Sequence, residues 1–196
     1  MTERRGPWTI KARRAGYANP WMKVMEYDVV QPDGKPGLYG VMSPQQLALA
    51  ILPIHADGTV TLVGQYRFPL DRYSWEIPEG GGLLEGDPLT CAKRELKEET
   101  GLTGAQWEKI LEMDLSNSIT DERAIGYLAT DLIEGESEPE GTEVLEIRRI
   151  PFRDALTEIH KGEIEDALTV AMLHRAYYMA REGLLDPAIS GVMLSS

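Results

Sequence analysis

Hydrophobic and polar positions change period along this chain, and the changes mark its elements. Residues 8–14, 21–30 and 37–43 read as strands, with Pro32-Asp33-Gly34 as the turn before the third. Leu47 to Ile54 is a near-continuous apolar run, as expected of a buried strand. Residues 59–66 alternate after an Asp57-Gly58 turn, which predicts a strand pairing back on the first. Further strands are expected over 106–115, 124–130 and 144–151, and helices over 152–160 and 164–181. In the last helix Leu168, Met172, Leu173 and Ala176 repeat at helical spacing, so it reads as structure backing a sheet. Residues 134–142 are acidic and carry Pro139 and Gly141, a loop able to act as a lid.

One helix carries more than packing information. Leu89, Ala92 and Leu96 form an apolar stripe, Asp87 suits the N-cap, Pro88 the first helical position and Gly101 the C-terminal cap. Glu95, Glu98 and Glu99 fall at i, i+3 and i+4, so three carboxylates share a face beside that stripe. Like charges at this spacing repel, and a hard divalent cation would reverse the sign of the cost. Arg94 lies four residues before Glu98 and can hold it by an ion pair.

The run from Gly80 to Leu102 resembles a Nudix box: glycine, a loop, then Arg94-Glu95-Leu96, Glu98-Glu99 and Gly101-Leu102. One position departs from the family pattern, since Gly86 stands where a loop glutamate is expected, with Glu85 beside it. The resemblance implies an α/β fold, the Nudix α/β/α sandwich with a mixed sheet, here with an N-terminal antiparallel strand extension. It also implies hydrolysis of a nucleoside diphosphate linked to another group, assisted by Mg²⁺ with Mn²⁺ as a substitute. Glu95 and Glu99 are the first expected metal ligands. Glu98 is expected to be a third ligand or to support one, and the Glu79 carbonyl to supply another oxygen.

Two further stretches resemble ADP-ribose and nucleotide-sugar pyrophosphatases within that superfamily. Ser116 to Arg123 reads as a polar loop, in which Glu122 is expected to complete the metal site or act as general base, with Asp121 as accessory. Gln65 to Pro69 and Tyr73 to Gly80 lead into the box. Arg67 is expected to grip a phosphate, Tyr73 or Trp75 to stack on a base or pack in the core, and Glu76 to meet substrate or a partner subunit. The implied organisation is 1–45 as a dimerising β extension, 46–185 as the hydrolase domain and 186–196 as a tail, in a homodimer. A dinucleoside polyphosphate hydrolase and a non-catalytic ADP-ribose sensor are the alternatives. An isoprenoid diphosphate isomerase would need a catalytic cysteine outside this pattern.

Composition narrows the setting. With 20 Lys and Arg against 32 Asp and Glu, a formal charge of −12 argues against nucleic-acid or anionic-membrane binding. It does not argue against an anionic small molecule met by metals and a few arginines. Cys91 is the single cysteine, which excludes a disulfide framework and the four-cysteine zinc ribbon of NADH-type members, and fits a cytoplasmic setting. Residues 1–15 lack an apolar stretch, so no signal peptide is expected, and no run approaches the roughly 18 apolar residues of a membrane span.

Overall fold

Alternating strands at the N-terminus build an antiparallel sheet. In the computed structural model, which describes residues 3–137 and 144–196, the chain forms two compact units. The first, Met1–Leu47 with Asp114–Arg123, contains β1 (Glu3–Arg5), β2 (Trp8–Ala18), β3 (Met22–Val30) and β4 (Pro36–Pro44), hydrogen-bonded in that order. Asn19 closes the β2–β3 turn by accepting from the N–H groups of Trp21 and Met22 at 2.9 and 2.8 Å. Gly34 donates to the Gln31 carbonyl at 2.9 Å and so closes β3 onto β4. Ile10 and Val29 are cross-strand partners and both are buried.

The second unit, Ala48–Met113 with Ala124–Ser196, is the α/β/α sandwich. Its strands are β5 (Leu47–Pro53), β6 (Thr59–Arg67), β7 (Arg72–Glu76), β8 (Glu79–Gly82), β9 (Thr103–Asp114), β10 (Arg123–Ile133) and β11 (Glu146–Pro151). Its helices are α1 (Pro88–Thr100), α2 (Phe152–Lys161), α3 (Ala167–Arg181) and α4 (Pro187–Ser195). The strands run in the order β8-β5-β10-β9 in one sheet and β11-β6-β7 in another. β5 and β10 are parallel and almost wholly buried, which is why both read as apolar runs and not as alternating ones. Leu49, Ile51 and Leu52 of β5, Leu62 of β6, Leu96 of α1, Phe152 of α2 and Leu173 of α3 are core side chains.

The structure corrects three expectations. Strand 59–66 does not pair along β5. The two touch at one bridge, Ile54 with Val60, and β6 then joins β11 and β7. Both edges of β5 are already taken by β8 and β10. The helix expected from 164 begins at Ala167, because Gly162 closes α2 at φ 72° and Asp166 caps α3 by accepting from Thr169 N–H at 2.8 Å. Residues 186–196, expected as a tail, form α4, capped by Asp186 and anchored by buried Met193. In the acidic loop, 134–137 are exposed, and 138–142 lie outside the described residues.

Candidate active site

The box helix is built as its sequence specifies. Asp87 accepts from Leu89 and Thr90 N–H groups at 3.2 Å each, and Gly101 closes the other end at φ 74°, donating to the Lys97 carbonyl at 2.8 Å. Because the carboxylates lie beside the apolar stripe, they descend from the rim into the protein. The Glu98 side chain is 28% exposed, Glu95 14%, and Glu99 is buried. Arg94, near the rim, pairs with both Glu95 and Glu98.

β8 closes over this edge. The Glu79 N–H donates to Glu99 Oε2 at 3.2 Å. Glu95 lies directly on Gly80, where an added Cβ would fall 2.2 Å from the Glu95 carboxyl carbon. A side chain at this position would have to displace the Glu95 carboxylate.

A second acidic group adjoins through Glu79. Oxygens of Glu76, Glu79 and Asp166 lie within 4.8 Å of one another. Glu76 is buried and receives the Arg67 guanidinium, whose Nε lies 2.9 and 3.1 Å from its two oxygens. Thr169, fully buried, accepts from the Ile77 N–H at 3.0 Å and donates to Glu79 Oε1 at 3.3 Å. Burial first, then the charge and hydrogen bond of Asp166 and the charge of Glu76, push the Glu79 carboxyl well above the usual carboxylate range; Arg67 opposes this.

The residues of β7 expected to bind substrate divide between its two faces. Arg67 grips Glu76, so its fork is engaged by a carboxylate. Tyr73 and Trp75 project from β7 on the face opposite Glu76, as strand alternation requires. Their rings meet edge to face at 5.6 Å, and the Arg148 guanidinium covers Trp75 at 4.2 Å. Arg148 is itself held by Glu158 at 3.1 Å and by a second, shorter contact. The structure thus brings Glu95 and Glu99 to β8 beside Glu79, Glu76 and Arg67, keeps Arg94 and Glu98 paired on α1, and places Tyr73 and Trp75 on the opposite face of β7.

Glu122 belongs to the first unit. Its N–H donates to Thr120 Oγ1 at 2.8 Å, and burial raises its carboxyl above the ordinary value. Asp121 accepts from Ser43 at 2.9 Å. Asp166 and Thr169 were not anticipated. The acidic run Glu163 to Asp166 ahead of an apolar helix was their one signal, and it also fits a plain N-cap.

Among the described residues, the carboxylates close enough to share one ion are those of Glu76, Glu79 and Asp166, an all-oxygen set of the kind that suits a hard divalent cation, whereas Glu95, Glu98 and Glu99 do not form such a group. Beside that set, Glu99 accepts from the Glu79 N–H and Glu95 lies against Gly80.

Residues 44–172 match the NUDIX domain model, and the chain belongs to that family. It is 34% identical over 128 residues to the ADP-ribose pyrophosphatase of Mycobacterium tuberculosis, covering 63% of this chain and 61% of that protein. It is 32% identical over 159 residues to the ADP-ribose pyrophosphatase of Bacillus subtilis, covering 80% and 84%. The GDP-mannose pyrophosphatase of Yersinia enterocolitica is 30% identical over 178 residues, covering 80% and 88%. Among solved structures, an ADP compounds hydrolase superposes with TM-score 0.80 over 91% of this chain and 97% of that one, at 20% identity, and so shares the fold. Among the described residues no helix is long and apolar enough to cross a membrane.

Proposed function

We propose that this protein hydrolyses the pyrophosphate bond of ADP-ribose or a nucleoside diphosphate sugar, using Mg²⁺, with Mn²⁺ as a substitute. The observation that carries this reading is that Glu95 and Glu99 of α1 meet β8, at Gly80 and at the Glu79 N–H, with Glu98 nearer the rim on Arg94. The named activities of the M. tuberculosis, B. subtilis and Y. enterocolitica relatives support the substrate class.

Bound Mg²⁺ would neutralise charge gathering on the pyrophosphate and lower the pKa of a bound water. Glu95, Glu98 and Glu99 would hold it, with the Glu79 carbonyl as a further ligand. Arg94 keeps Glu95 and Glu98 in place through its two ion pairs. Glu122 is the general base of this scheme. Its carboxyl, raised by burial, accepts a proton from water as the water oxygen adds to one phosphorus. The bridging P–O bond breaks, its electrons leave on the second phosphate, and the products are a nucleoside monophosphate and a sugar phosphate.

Glu99→Gln tests the centre of this scheme. It should lower kcat for ADP-ribose by about 10²-fold or more while circular dichroism and the urea midpoint stay near wild type. Wild-type turnover would remove Glu99 from the metal site.

A further inference from the structure

The segment carrying Glu122 has little packing of its own. Ile119, its large apolar side chain, is 57% exposed, and Ser116 to Ser118 are exposed as well. Residues 117–121 line a half-open cavity of about 290 Å³ together with Trp8, Tyr27 and Tyr39. Hydrogen bonds to β4, far away in sequence, hold the segment in place. Tyr39 Oη donates to the Ser118 carbonyl at 2.7 Å, the Met42 N–H to the Ile119 carbonyl at 2.9 Å, and Ser43 Oγ to Asp121 Oδ2 at 2.9 Å. Met42 and Thr120 form a parallel bridge at the same place. From there the connection is short, since Thr120 Oγ1 accepts the Glu122 N–H at 2.8 Å and the Glu122 carbonyl accepts from Leu115 at 3.1 Å.

We propose that β4 positions Glu122 for turnover through this latch, with Tyr39 and Ser43 as positioning residues. The inference rests on the role given to Glu122 above. It makes the N-terminal sheet a support for the chemistry in addition to any role in dimerisation. With Ile119 largely exposed, loss of the two side-chain bonds leaves the backbone bridge at Met42 to tie this segment to β4.

The test is a kinetic cycle on the full chain with ADP-ribose and Mg²⁺. Tyr39→Phe with Ser43→Ala should lower kcat about tenfold, with KM and the urea midpoint within about twofold and 0.3 M of wild type respectively. Replacing Ser43→Ala by Ser43→Thr in the same pair, which keeps a hydroxyl, should recover part of the loss. In a Glu122→Gln background the latch pair should add less than about twofold, because both changes act on one group. Wild-type kcat in the latch pair, with Glu122→Gln impaired, overturns the latch alone. An equal tenfold loss in the Glu122→Gln background also overturns it, since the bonds would then serve the fold at large. Wild-type turnover in Glu122→Gln overturns the role of Glu122 and the latch with it.

Discussion

Glu79 is the residue at which the two carboxylate groups meet. Its N–H holds Glu99, while its side chain turns to Asp166 and Thr169. The box glutamates were legible in the sequence because a helical period fixes which side chains share a face. Asp166 and Thr169 were not, because they reach Glu79 from a helix about 90 residues away, and no local period encodes that approach. Tyr73 and Trp75 show the limit of residue type: both suit base stacking, and β7 turns them to the face opposite Glu76, where Trp75 lies under Arg148. At Gly86 the family pattern is broken, yet the loop has room. An added Cβ would meet only Leu83, at 3.4 and 3.6 Å. Gly86→Glu should therefore fold normally and keep kcat within about threefold of wild type, or slightly above it. Lost activity on ADP-ribose would show that the loop is built for glycine.

At the scale of elements, α1 follows its caps closely, whereas the corner between β5 and β6 does not follow from sequence. The Asp57-Gly58 turn is real, but the strands it joins part into two sheets because β5 has both edges filled. His55 sits buried at this corner, with Nε2 2.8 Å from Thr61 Oγ1. Burial first, and then the charge of Arg149, lower its pKa, against smaller opposing effects of Asp57 and Glu134. The native state therefore disfavours the charged form of His55, while the unfolded chain takes up a proton near the ordinary value of about 6.5. Its contribution to stability is complete above that value and is lost as pH falls through it toward the folded pKa. Urea midpoints should fall from pH 7.5 to 5.5 in the wild type, and less steeply in His55→Gln. Equal slopes would place the pH dependence elsewhere.

For the whole molecule, the sequence sets an N-terminal extension over 1–45 apart from a hydrolase domain over 46–185, and the contacts of the structure group Met1–Leu47 with Asp114–Arg123. The return of 114–123 to the first unit was not legible in the sequence, because it depends on bonds to β4 across nearly 80 residues. That unit exposes Tyr17, Trp21 and Leu38. If the homodimer expected from the sequence forms, light scattering should give about twice the chain mass of 21.8 kDa; a monomer at micromolar concentration would contradict that expectation. The central claim, hydrolysis at the carboxylate-lined edge of α1, is tested most directly by phosphatase-coupled phosphate release with Mg²⁺. The substrates are ADP-ribose, GDP-mannose, UDP-glucose, a diadenosine polyphosphate and a nucleoside triphosphate. Turnover of ADP-ribose or a nucleotide sugar ahead of the others, abolished by chelation, is the expected result. Silence across all five, with tight binding of ADP-ribose, would contradict hydrolysis and leave a protein that senses the molecule without cleaving it.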